Sequence, residues 1–305
     1  MPASLRQLQI FQAVARSLSY TRAAEELHLT QPAVFTQVRQ LEDQVGGPLI
    51  ERIGKRLFLT QAGETVLASA REVLGELERM QMRLAELRGM ARGRLRLAVV
   101  STAKYDIPAR IGAFSRQHPG LDVVLTVGNR QDLLTRFAAN EDDLYILGTP
   151  PEGLEAEVRR YAENPLVMIA APDHPLAGQG ALDPAALAAV PFVMRERGSG
   201  TRIAAERYFA QAKLAPPVRM ELGANEAIKQ AVMAGLGLSV ISRGSVLLEL
   251  QHGNLVELDL PGFPLLRHWY VVWPRGKRLS VGAEAFLAVL MAQQQGAQGI
   301  STPGK

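Results

Sequence analysis

Two sets of side chains in this 305-residue sequence have the types and spacing to bind anions. The first lies between Thr30 and Arg56. Gln31, Phe35, Thr36, Gln37, Arg39 and Gln40 fall away from the apolar face of one helical pattern, and Arg52, Lys55 and Arg56 gather around Gly54 soon after it. Glutamine matches the N6/N7 edge of adenine, arginine matches guanine or a phosphate, and threonine or phenylalanine can touch a thymine methyl. The second set surrounds Gly198-Ser199-Gly200-Thr201, which follows a short apolar run and opens another helical pattern. Its glycines permit close backbone approach, two hydroxyls meet free N–H groups, and only Glu196 opposes Arg195, Arg197 and Arg202. Such a turn can cradle a carboxylate or phosphate. A Gly-Ser-Gly before a helix can also be no more than a turn and a cap; the three arginines favour the anion reading. Ser101 and Thr102, at the carboxyl end of a predicted strand, join the candidates because ligand crevices of open α/β sheets form at that edge. Lys104, Asn129 with Arg130, Asn225 and His268 complete the set. Asn225 can equally be a helix cap, and a lone histidine on a strand is more often structural.

Other chemistries find no residues to perform them. The chain has no cysteine, which removes disulfides, thiolate metal sites and a cysteine nucleophile together. Its five histidines, His28, His118, His174, His252 and His268, have no metal-ligand spacing. There is no H-E-x-x-H, G-x-S-x-G or P-loop pattern, and Gly235-Leu236-Gly237-Leu238 is too short for a dinucleotide fingerprint. No cofactor and no catalysis are expected. The first residues lack a secretory apolar core, and no run approaches the ~18–20 apolar residues of a membrane span. A cytoplasmic protein with no membrane partner is the expectation.

The elements that must hold these residues divide the chain in three. Leu5, Leu8, Phe11, Val14 and Ala15 recur at helical spacing; a second helix begins near Thr21 and stops at His28-Leu29. Thr30 caps a third, with Pro32 in its first turn, and Ala33, Val34, Val38, Leu41 and Val45 are assigned to its inner face. Small Ala23-Ala24 and the tight turn are what a helix-turn-helix needs for a steep, close crossing. The segment 49–60 then reads as a two-stranded basic wing. This winged helix-turn-helix spans 1–62. A linker helix over 63–90 carries Val66, Ala70, Val73, Leu77, Met80, Leu84 and Leu87 at alternating steps of four and three, flanked by Glu76, Arg79, Arg83 and Glu86. A helix packed on its own globule can carry a similar stripe, but the 3.5-residue period and the length favour a coiled-coil seam and predict a homodimer, hence two half-sites and an interrupted palindrome in double-stranded DNA. From residue 91 on, strands and helices alternate, giving α/β architecture with largely parallel sheets, and a Gln/Gly-rich tail from Gln293 is expected to fray. Residues 1–94 hold thirteen basic and ten acidic side chains, so +3 of the chain's formal +4 sits in the first third.

The stretch from Leu5 to Gly63, LRQLQIFQAVARSLSYTRAAEELHLTQPAVFTQVRQLEDQVGGPLIERIGKRLFLTQAG, resembles the winged helix-turn-helix of LysR-type transcriptional regulators. It departs at one point: such regulators commonly carry serine after the QPAV run, where this chain has Phe35. The remainder is similar to the family's two-lobed effector-binding domain, with a fold like type 2 periplasmic binding proteins. The resemblance implies one lobe of residues 95–163 and 268–295, a second of 164–267, crossovers near 162–165 and 264–268, and an effector between the lobes. STAKYDIP, NRQDLL, ENPLVMIAAPDHPL, FVMRERGSGTRIAAERYF and GFPLLRHWYVVWPRGKRLS resemble the subgroup that controls Calvin–Benson–Bassham (carbon-fixation, RuBisCO) operons. It thereby implies an activator that responds to a small anionic metabolite, a phosphorylated sugar or NADPH, and assembles as a homotetramer, with RNA polymerase a further candidate partner.

Overall fold

Ser4 starts the first helix by a reciprocal capping box: its hydroxyl accepts from the Gln7 N–H, and the Gln7 side chain accepts from the Ser4 N–H. This computed structural model describes residues 3–87 and 93–298; the side chains of Arg83, Glu86 and Leu87, the predicted linker end at 88–90 and the side chains of the tail from Gln293 lie outside that description. The chain forms two units, one of residues up to 93 with 139–141, the other of the remainder.

The first unit comprises α1 (Leu5–Ser17), α2 (Tyr20–Leu27), α3 (Gln31–Val45), β1 (Ile50–Ile53), β2 (Arg56–Leu59) and α4 (Gln61–Leu87). Ile10, Phe11, Val14, Ala23, Ala24, Val34, Val38, Leu41 and Leu49 form its core. His28 ends α2 in the left-handed region at φ 52°, and the Leu29 N–H returns to the Ala24 carbonyl, making the tight turn. The Thr30 hydroxyl then caps α3 by accepting from Ala33 N–H at 3.4 Å. The inner face of α3 differs from expectation. Ala33 and Val45 are exposed, while Glu42 is buried. Its carboxylate accepts from the Leu49 and Ile50 N–H groups at 2.9 and 3.2 Å, joining the end of α3 to the start of the wing. β1 and β2 pair antiparallel around a two-residue Gly54-Lys55 turn, and φ +63° at Gly54 is the positive angle such hairpins require. At Gly63 the backbone passes so close to the Leu49 carbonyl that an added Cβ would lie 2.1 Å from its oxygen.

The linker helix α4 has two apolar faces. Leu67, Ala70 and Leu74 are buried within the chain, and α4 packs against α1. Ala70 therefore belongs to the inner face and not to the predicted seam. Val73, Met80 and Leu84 are exposed on the other side, with Val66 and Leu77 half-buried.

In the second unit, β3 (Gly93–Val100), α5 (Ile107–Gln117), β4 (Leu121–Gly128), α6 (Arg130–Ala138), β5 (Leu144–Leu147) and β6 (Ala156–Glu163) build most of the first lobe. The second lobe contains β7 (Leu166–Ala170), β8 (Phe192–Arg195), α7 (Gly200–Gln211), β9 (Val218–Leu222), α8 (Asn225–Met233), β10 (Ser239–Ser242), α9 (Leu247–Gln251) and β11 (Val256–Glu257). The chain then returns to the first lobe with β12 (His268–Pro274) and α10 (Val281–Gln298). The first-lobe sheet has the order β4-β3-β5-β12-β6. β3 and β5 run parallel, but β12 is antiparallel to both β5 and β6. In the second lobe β10 and β11 flank β7 antiparallel, whereas β8 and β9 are parallel. The sheets are thus mixed instead of largely parallel, because β12 enters the first sheet from the opposite lobe. β6, with the sequence AEVRRYAE, escapes sequence reading: it lacks the apolar run that marks the other long strands. The two crossovers hydrogen-bond to each other, Asn164 N–H to Arg267 O at 2.7 Å and Leu166 with Leu265 in both directions.

Candidate effector cleft and nucleic-acid interface

Capping, the αL turn and the buried Glu42 fix α3 and the wing in one unit. On α3, Gln31, Pro32, Phe35, Thr36, Arg39 and Gln40 are exposed and Gln37 is half-buried. Arg52, Lys55 and Arg56 are exposed on the wing, where the Arg52 Nε donates to the Gly54 carbonyl at 3.0 Å. The Thr30 hydroxyl is occupied as the helix cap. This surface offers amides, a hydroxyl and four cations, which suits base edges flanked by phosphates.

A cleft open to solvent lies between the two lobes of the second unit. Strand ends and helix starts supply its walls, as the sheet-edge argument requires. Ser101, Thr102, Asn129, Arg195, Ser199, Gly200 and Thr201 line it, all named by the sequence. Lys104, Gly198, Arg202, Asn225 and His268 do not. Lys104 reaches Glu226 at 2.8 Å, and Tyr105 donates to the same carboxylate at 2.7 Å. These donors hold the Glu226 carboxyl down to about 2, the Lys104 hydrogen bond being the largest cause. His268 Nε2 lies 3.3 Å from Arg160 Nη1, and Asn225 is buried as an acceptor for Arg195 at 2.7 Å.

The three-arginine cradle around the Gly-Ser-Gly turn does not form. Arg195 is buried and forked onto Glu196 at 2.7 and 2.8 Å, while its remaining donors reach Ser101 Oγ at 2.9 Å and Asn225. Arg202 turns away to Glu206 and Glu221, and Arg197 is exposed. Glu206 and Glu221 are the countercharges that sequence reading left out. They lie four and nineteen positions beyond Arg202, outside the turn. What stays open is the start of α7: Ser199 and Thr201 are buried, and Ser199 occupies the N-cap position without a side-chain capping bond. The amides of the first α7 turn have no intrahelical acceptor and border the cleft.

The cations of the cleft are instead Arg130 and Arg267. Arg130 donates to the Thr149 and Pro150 carbonyls at 2.7 and 2.9 Å. Arg267 donates to the Gly148 carbonyl at 3.2 Å and to the Thr149 hydroxyl. Both therefore bind neutral acceptors, with Thr149 between them, and neither forms an ion pair among the described residues. Burial lowers the pKa of each guanidinium; for Arg267 the nearby Arg207 and Arg130 lower it further, and Glu152 partly offsets the burial of Arg130. Both remain charged at neutral pH. Gly148, Thr149, Asn164, Leu166 and Trp269 complete this wall, and sequence reading missed them. Of the two cations the sequence named Arg130, beside Asn129 after the end of β4, the edge at which α/β sheets bind ligands.

Known proteins share both units. A family model described as bacterial regulatory helix-turn-helix protein, lysR family, matches residues 5–64, and one described as LysR substrate binding domain matches residues 88–295. A RuBisCO operon transcriptional regulator of Acidithiobacillus ferrooxidans is 49% identical over 302 residues, covering 99% of this chain and 98% of the relative. An HTH-type transcriptional activator, CmpR, of Synechocystis is 46% identical over 293 residues, covering 96% of each. Among solved structures, the Synechocystis PCC6803 CcmR regulatory domain in complex with 2-PG superposes with a TM-score of 0.65 at 46% identity, covering 67% of this chain and 98% of that one.

Proposed function

The chain belongs to the LysR family of DNA-binding transcriptional regulators, and within it we propose that this protein activates carbon-fixation genes in response to a small phosphorylated carboxylate held between its lobes. The observation that carries the effector assignment is the pair Arg130 and Arg267, two half-buried guanidiniums that donate to neutral oxygens and form no ion pair among the described residues. Desolvated cations of this kind gain most from an anion that brings its own charge into the cleft. The start of α7 at Ser199–Thr201 supplies a second anion-binding wall, so a ligand with two anionic ends suits the cleft better than one with a single end. The name of the Acidithiobacillus ferrooxidans relative, a RuBisCO operon transcriptional regulator, supports the choice of target genes.

Signal transfer follows from differential affinity. Arg195 to Ser101 and Lys104 to Glu226 bridge the lobes in the arrangement described. An effector that prefers another lobe arrangement must overcome these contacts, and it shifts the equilibrium only by its difference in affinity. Pairing of the exposed α4 face gives a homodimer, and two dimers give the tetramer through which lobe movement alters DNA bending. A footprint of the full-length protein upstream of carbon-fixation genes, with and without 2-PG, the ligand of the Synechocystis regulatory domain, or NADPH, tests this reading. A protected interrupted palindrome whose extent changes with the phosphorylated acid supports it; protection insensitive to every phosphorylated metabolite contradicts it.

A further inference from the structure

Two large apolar side chains on α3 are not packed away, Val45 at its last position and Phe35 near its start. Val34, Val38 and Leu41 are fully buried, yet the Phe35 ring is 43% exposed on the face that also carries Gln31, Thr36 and Arg39. The ring is also held in place. Tyr20 meets it edge-on, with centroids 5.3 Å apart and planes at 64°, and the Arg39 guanidinium lies over it at 5.4 Å. Arg39 is in turn tethered to the buried Glu42 at 3.3 Å. Tyr20 opens α2, so the ring is fixed from both helices of the helix-turn-helix and stands one turn into α3.

We propose that Phe35 is a specificity-determining residue that reads a thymine methyl in each half-site of the DNA target. The proposal rests on α3 being the helix that enters the major groove. An aromatic ring has no hydrogen bond to offer a base edge, and the C5-methyl of thymine is the apolar group that the major groove displays. A ring fixed by Tyr20 and Arg39 loses little freedom when it meets that methyl, so the contact discriminates thymine from cytosine at small entropic cost. Phe35 lies in the N-terminal part of α3, the part of a recognition helix that reaches base edges. Arg39, four residues further on, shares the same face, and its guanidinium is oriented by the ring beneath it and by Glu42. Phe35 thus has a second role, that of positioning the arginine beside the base it reads.

The test uses the full-length protein and a duplex selected from a random pool by the wild-type protein. Each thymine of a half-site is replaced in turn by deoxyuridine, which removes the C5-methyl and leaves base pairing intact. At one position per half-site, deoxyuridine should weaken wild-type binding about fourfold, the effect of one buried methyl. Phe35→Ser should bind the thymine and deoxyuridine duplexes equally. Cytosine at that position should weaken wild-type binding, and 5-methylcytosine should recover part of the loss for the wild type but not for Phe35→Ser. An unchanged thermal midpoint of the variant shows that its folding is intact, as an exposed ring predicts. Deoxyuridine effects that are the same in wild type and Phe35→Ser at every position would overturn the assignment to Phe35 alone. A wild-type protein that selects no duplex would overturn the DNA-binding role of α3 on which it rests.

Discussion

Arg130 and Arg195 both border the effector cleft, but their surroundings give them opposite tasks. Arg195 is neutralised by Glu196 and serves to bridge the lobes, whereas Arg130 and Arg267 meet neutral oxygens and keep their charge available. The sequence made Ser101, Thr102, Ser199 and Thr201 legible because each sits at a strand end or helix start. Arg267 was not legible as a partner of Arg130, since 136 residues separate the two and only the placement of β12 beside β5 brings Arg267 to Gly148 and Thr149. Glu42 was hidden for another reason: at helical spacing it resembles any solvated acid, and its burial comes from the N–H groups of Leu49 and Ile50. Glu42→Leu leaves those two donors unsatisfied and should destabilise the protein by about 2–3 kcal/mol in urea unfolding. Glu42→Gln, which retains an acceptor, should lose less. On the wing, Arg56→Ala should weaken binding to all DNA sequences alike and reduce the salt slope by about one. An unchanged slope would remove Arg56 from the phosphate contacts.

Each element derives its role from which of its faces the chain itself covers. The helix-turn-helix and the wing were legible from capping residues, the small Ala23-Ala24 pair and the Gly54 turn, all local signals. The linker helix was read correctly as one long apolar-striped element, but periodicity alone could not separate its two faces. Leu67, Ala70 and Leu74 are buried in the chain, and Val73, Leu77, Met80 and Leu84 form the stripe left over. An exposed stripe of this length is what pairing with a second copy would require, as proposed above. Met80→Glu together with Leu84→Glu should therefore halve the sedimenting mass of the full-length protein. A mass equal to that of the wild type would assign the stripe another role. β6 was missed because Glu157, Arg159, Arg160 and Glu163 interrupt any apolar run in it, although its partner β12 is among the most apolar strands.

For the whole molecule, one anionic partner is expected at each unit, DNA at the first and a small acid at the second. The net charge of +4 conceals this, since Lys104, Arg195, Arg202 and Lys229 of the second unit each meet a carboxylate, whereas Arg130 and Arg267 in the cleft donate to neutral oxygens. Coupling between the two partners then needs no new chemistry, only a ligand that prefers one lobe arrangement to the other. The most direct test is calorimetric titration of the full-length protein with 2-PG, comparing wild type with Arg267→Met and Arg202→Ala. Removing one partner of a desolvated charge pair costs about 2 kcal/mol or more, so Arg267→Met should bind about 30-fold or more weakly. Arg202→Ala should bind as the wild type does, because Glu206 and Glu221 already engage that guanidinium. Equal binding by wild type and Arg267→Met, or loss of binding in Arg202→Ala alone, would contradict the assignment of the cleft.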